Sequence, residues 1–201
     1  MAIKVANNQS LTAITSIPAS ITGGAMTLLE TQTASSDATL SFTSDIDDTY
    51  DEYVFKFYDI HPEDNGTKFQ FQTDTGTNTS YNQTITSTSF YAYHAEDNSG
   101  TSLAYDGSYD QAQGTAFQDL IFYQGNDADQ QCSGTLQLFN PSSTTFVKHF
   151  LARGVRASAN DQISDEHAAG YVNTTTALTR VQFKFSSGNI DSGVIKLYGV
   201  S

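Results

Sequence analysis

Tryptophan is absent from this 201-residue chain, cysteine occurs once, methionine twice and proline three times. A lone cysteine, Cys132, makes no internal disulfide, so no cystine framework holds the fold. Basic residues are scarce too: nine Lys and Arg stand against 22 Asp and Glu, a net charge of −13, and the nine are dispersed. A phosphate backbone needs a clustered basic footprint, which excludes nucleic acid, and an anionic membrane surface is disfavoured for the same reason. No apolar run approaches the roughly 20 residues of a membrane span. Residues 1–25 carry Lys4 as their only charge but lack the continuous apolar core and small-residue cleavage pattern of a secretory leader.

Catalytic signatures are equally scarce. There is no nucleophile elbow, phosphate-binding loop, dinucleotide-binding glycine turn, His-Glu-x-x-His or Cys-x-x-Cys. His94-Ala95-Glu96 matches half of a zinc-deaminase signature without its cysteine partner motif. The four histidines, His61, His94, His149 and His167, are too far apart in sequence to form a ligand pair at helical spacing. These readings predict a protein that is not an enzyme and uses no cofactor.

What the chain does have is 13 Phe, 11 Tyr and abundant Ser, Thr, Asn, Gln and Gly, the usage of short strands joined by polar turns. Two octapeptides are near copies: Ser133-Gly134-Thr135-Leu136-Gln137-Leu138-Phe139-Asn140 and Ser192-Gly193-Val194-Ile195-Lys196-Leu197-Tyr198-Gly199. Each alternates apolar and polar residues, the period of a strand with one buried face. Their similarity is read as two strands under similar packing constraints.

Nine or ten strands are predicted. Met26–Thr31 and Ala38–Thr43 are joined by a polar loop at residues 34–37. Glu52–Ile60 and Lys68–Asp74 flank an Asn65-Gly66 turn, which reads as a hairpin. Tyr53, Phe55 and Phe57 share one face of the first of these strands, and Phe69 and Phe71 share one face of the second. Residues 116–123, 134–139, 144–152, 177–185 and 193–199 follow, with residues 186–191 turning the last two into a second clear hairpin. Residues 75–114 are weakly patterned, with a short element of either kind at 89–95. So long a connection points to function or to an element the pattern hides. The fold expected is an all-β, antiparallel two-sheet β-sandwich, with a jelly roll as one variant. Residues 26–201 form this domain, preceded by an extended N-terminal arm at 1–25. The arm has too few apolar residues to pack alone, so Ile3, Val5, Leu11, Ile14 and Ile17 are expected to dock on a neighbouring subunit. An ordinary first strand is the alternative.

Two sets of residues are candidates for binding. Asp45, Asp47, Asp48 and Asp51 place hard oxygen ligands at short spacing, as Ca²⁺ requires, but without the glycine and terminal spacing of an EF-hand, so a solvated acidic loop is the plainer reading. Tyr91, Tyr93, Tyr105 and Tyr109 fall in the weakly patterned region and suit an exposed recognition surface in which rings stack on sugars. Core packing is the competing use of such rings.

Several stretches resemble virion structural proteins of marine tailed bacteriophages: residues 26–35, Tyr53-Val54-Phe55-Lys56-Phe57 with Ile60-His61-Pro62, residues 139–150, Phe183–Asn189 and the tail Ile190–Val200. The resemblance implies a virion protein assembled in the host cytoplasm. Its partners would be capsid or tail subunits and further copies of itself. Because only a short arm precedes the domain, a capsid decoration or knob protein, or a short fibre subunit, fits better than a long fibre. The rival expectation is a tail-associated adhesin module that binds host surface glycan.

Overall fold

The computed structural model describes residues 26–200, and among them there is no helix. The expected arm contacts Ile3, Val5, Leu11, Ile14 and Ile17 lie outside the described residues. Period-two apolar patterns drive the chain into thirteen strands. The first four are β1 (Met26–Asp37), β2 (Leu40–Phe42), β3 (Glu52–Pro62) and β4 (Thr67–Thr75). Then come β5 (Ile85–Ala95), β6 (Thr101–Tyr105), β7 (Ala112–Gly114), β8 (Gln118–Gln124) and β9 (Cys132–Phe139). The last are β10 (Lys148–Ala157), β11 (Gln162–Val172), β12 (Leu178–Phe185) and β13 (Ile190–Val200).

They form the two antiparallel sheets of a β-sandwich. The larger sheet runs β1-β13-β3-β9-β10-β11-β5-β6, with β7 also paired to β5, and the smaller runs β2-β12-β4-β8. This nine-and-four division does not establish the jelly-roll variant. Between the sheets lies an aromatic core. Phe183 from the small sheet sits 5.3 Å from Phe55 of the large one and 5.7 Å from Phe69, while Phe57 meets Phe69 at 5.2 Å and Phe71 meets Phe150 at 5.0 Å.

The two octapeptides flank the same strand. β13 and β9 lie on either side of β3, so that Phe55 stands opposite Leu197 on one side and Leu136 on the other. Similar sequence thus follows from a shared neighbour. Their glycines answer different needs. A Cβ on Gly134 would fall 2.3 Å from the Arg153 carbonyl oxygen and 2.7 Å from the Phe57 ring, whereas Gly193 adopts φ +125° at a register shift against β3.

The expected hairpins are not the observed ones. β1 and β2, β3 and β4, and β12 and β13 each fall in opposite sheets, so the connections at 38–39, 63–66 and 186–189 are crossovers, and residues 34–37, expected as a loop, are the end of β1 paired with β13. In a hairpin the aromatic faces of β3 and β4 would lie side by side; in facing sheets they bury each other. The second and third crossovers are stitched together, Glu63 N–H donating to the Asn189 carbonyl (3.0 Å) and Ser187 N–H to Thr67 Oγ1 (3.1 Å). Consecutive strands pair instead at β5–β6, β9–β10 and β10–β11. The region 75–114 contains three strands, and β11 is an element that its sequence conceals. Its inward side chains include Ser164, Glu166 and Ala168, with no large apolar residue before Val172.

Candidate functional site

Four strands cannot cover nine. The small sheet ends at β8, which packs over β10 and β11, and β5 and β6 continue beyond it. Tyr91 and Tyr93 on β5 stand opposite Glu166 and Ser164 of β11. Directly opposed residues point to the same side of a sheet, so both rings face inward where the overlying sheet has run out. There they meet the side of β8 and the loop after β6. Tyr109 stacks on Phe122 with centroids 3.9 Å apart, Tyr91 meets Phe122 edge-on at 5.2 Å, and Tyr91 and Tyr93 lie 6.2 Å apart at 20°. The result is a cleft of about 170 Å³ walled by these rings and Tyr123, with Asp106, Asn160 and Gln162 as its polar groups and Arg156 at its base.

Buried polar groups set this geometry. Gln118, with no exposed surface, donates to the Tyr109 carbonyl (2.8 Å) and accepts from Ser87 Oγ (2.6 Å), which anchors the loop to β5. Burial and nearby carboxylates push the Tyr109 phenol up to about 12, so it remains neutral. β8 has two extra residues relative to β4, and at one of these bulges Phe122 and Tyr123 both stand opposite Lys68. The bulged backbone is satisfied from the other sheet. Glu166 accepts from Phe122 N–H (2.9 Å), and Arg156 donates to the Tyr123 carbonyl (3.2 Å). Arg156 and Glu166 are themselves joined at 2.5 Å, and both are buried. Burial raises the Glu166 carboxyl to about 7, with the Arg156 charge opposing that rise.

Of the four tyrosines singled out by sequence, three line the cleft. Tyr105 does not, because it pairs with Phe90 on the opposite face of the sheet, where its hydroxyl donates to Asp110. That outer face is apolar for a protein of this charge. Phe90, Leu103, Tyr105, Leu151, Val155 and Ile163 are all exposed on β10, β11, β5 and β6. At its centre Arg153 grips Asp165 through two hydrogen bonds (2.9 and 2.7 Å), holding that carboxyl below the usual range, and His167 stacks on Phe90 at 4.6 Å. A hollow of about 350 Å³ there is bordered by Phe90, Leu151, Arg153 and His167.

The acidic loop is organised around a tyrosine. Tyr53 and the Thr49 N–H both donate to the Asp47 carboxylate (2.9 and 2.8 Å), Ile46 is buried beneath, and Asp45, Asp48 and Asp51 are exposed. Among the described residues no group of three His, Cys, Asp or Glu is placed to hold a metal ion.

Phe122, Tyr123, Arg156 and Glu166 escaped the sequence reading. Arg156 was within reach of it: Phe150 fixes the inward parity of β10, and Arg156 shares that parity. The bulge that turns Tyr123 outward leaves no such trace.

The fold and site define a β-sandwich with an aromatic cleft where one sheet overhangs the other. No protein-family model, curated protein or solved structure matches the chain.

Proposed function

We propose that this chain is a non-enzymatic structural protein of the bacteriophage particle exterior. It acts as a capsid decoration or knob protein or a short fibre subunit, anchored through residues 1–25 and assembled with other particle subunits and with copies of itself. The outer face of the large sheet is the observation that carries this reading. It leaves Leu103 76% exposed, Tyr105 62% and Ile163 53%, beside Phe90, Leu151 and Val155. An extended apolar face on a chain of net charge −13 suits a surface that neighbouring subunits cover. The resemblance of residues 26–35, 139–150 and 183–200 to phage virion proteins points the same way.

Immunogold labelling of purified particles tests it. Many labels over the head are expected. Absence of the chain from particles overturns the proposal, and deletion of residues 1–25 should release it from them. The second reading, a host-recognition adhesin at the tail, is favoured by one observation, the cleft of Tyr91, Tyr93, Tyr109 and Tyr123. It predicts a few labels at the tail tip.

A further inference from the structure

We propose that the cleft binds a neutral saccharide, with Tyr123 as an outward-facing stacking platform and Asn160, Gln162 and Asp106 as hydroxyl partners. This deepens the adhesin reading and rests on it for the role of the sugar, but it does not require a particular place on the particle.

Backbone strain sets Tyr123 apart. Tyr81 and Tyr123 are the two tyrosines among the described residues that hold positive φ, at 45° and 55°, a region bulky L-residues avoid. Tyr81 is compensated locally, since its ring is buried and its N–H donates to the buried Asp74 carboxylate (2.8 Å). Tyr123 has no such return from packing, because its side chain is 52% exposed. Its conformation is nevertheless enforced by the buried Arg156–Glu166 pair, which binds the bulge at Phe122 N–H and Tyr123 C=O. An ion pair taken out of water is thus committed to presenting an exposed ring beside four others.

The lining selects the ligand class. Aromatic faces attract the polarised C–H groups of a pyranose ring. The side-chain amides of Asn160 and Gln162 have no hydrogen-bond partner among the described residues, and each offers both donors and an acceptor to sugar hydroxyls. Anionic glycans are disfavoured: Arg156, the cation at the cleft, is spent on Glu166 and Tyr123, Asp106 adds negative charge, and the chain repels anions as a whole. At about 170 Å³ the cleft is below the ~300–1,000 Å³ that encloses a drug-sized ligand, so one ring or a chain end lies across it with the rest in solvent.

The test is calorimetric titration of the full chain with linear neutral hexaoses built on glucose, mannose, galactose and N-acetylglucosamine, and with hexagalacturonate as the charged comparison. Variants are Tyr123→Gly, Tyr93→Ala and, on the opposite face, Tyr105→Ala. Glycine tolerates positive φ, so Tyr123→Gly removes the ring while relieving the strain. It is expected to leave the unfolding midpoint unchanged or raised and to weaken binding of a neutral hexaose by at least about tenfold. Tyr93→Ala should weaken binding similarly, and Tyr105→Ala should leave it intact. Preferential binding of hexagalacturonate, or neutral binding indifferent to Tyr93 and Tyr123, overturns the inference and leaves the adhesin reading standing. Binding of no hexaose overturns both, while the particle-assembly reading is decided separately by the labelled particles.

Discussion

The β3-centred core and the overhang at β5 are held by opposite means. Around β3, both sheets face each other and the buried rings of Phe42, Phe55, Phe57, Phe69, Phe71 and Phe183 fill the gap. At the overhang the inward face of β11 offers Ser164, Glu166 and Ala168, and the join to β8 is made by an ion pair and backbone hydrogen bonds. Apolar burial is non-directional and tolerates small displacements. Charge-assisted hydrogen bonds hold specific atoms at specific places. The difference teaches that this protein concentrates stability in one region and positional accuracy in another, and the cleft is built in the second.

Replacing a ring at the centre should be the heaviest blow. Phe183 touches Phe42, Phe55 and Phe69 and has no exposed surface. Phe183→Ala is expected to lose about 3–5 kcal/mol in chemical denaturation, from lost burial and the cavity left behind. Any loss below about 1 kcal/mol would break the comparison.

Next in size comes Arg156→Met, which leaves Glu166 buried without its counter-charge. About 3 kcal/mol should be lost at pH 8. The deficit should shrink as pH falls, because a carboxyl whose pKa is already raised takes up a proton and the buried charge disappears. An equal deficit at pH 5 and pH 8 would show that the pair acts through shape alone.

An effect of similar size is expected from Glu166→Gln. The folded-state pKa of Glu166, about 7, lies above the ordinary 4.5, so between those values the native state binds the extra proton. This group's contribution to stability is therefore fully present below about pH 4.5 and declines as pH rises through 7. Relative to the variant, the wild type should lose about 3 kcal/mol across that window, as denaturation midpoints at successive pH values would show. Smallest of all, Tyr105→Ala on the outer face should shift stability by less than about 0.5 kcal/mol.

The same contrast explains which parts were legible in the sequence. β3, β4, β12 and β13 announce themselves through Tyr53, Phe55 and Phe57, through Phe69 and Phe71, through Val181, Phe183 and Phe185, and through Ile195 and Leu197, all buried at every second position. β11 is silent because its inward residues are small or polar, and their burial makes sense only beside Arg156 and Phe122. Tyr91, Tyr93 and Tyr109 stood out as aromatics in a polar stretch. Tyr105 stood out equally, yet belongs to the other face.

Strand propensity, the inward parity of the aromatic strands and the all-β class were determined by sequence alone, since each depends on neighbours within a few residues. Which strand lies beside which was decided by tertiary structure. The polar links at 63–66 and 186–189 are as compatible with a hairpin as with a crossover, and the choice falls to the crossover because Phe57 and Phe69 exclude more water facing each other than lying side by side. The cleft belongs to the same decision. It exists because four strands cover only part of nine, a mismatch that no local stretch of sequence carries.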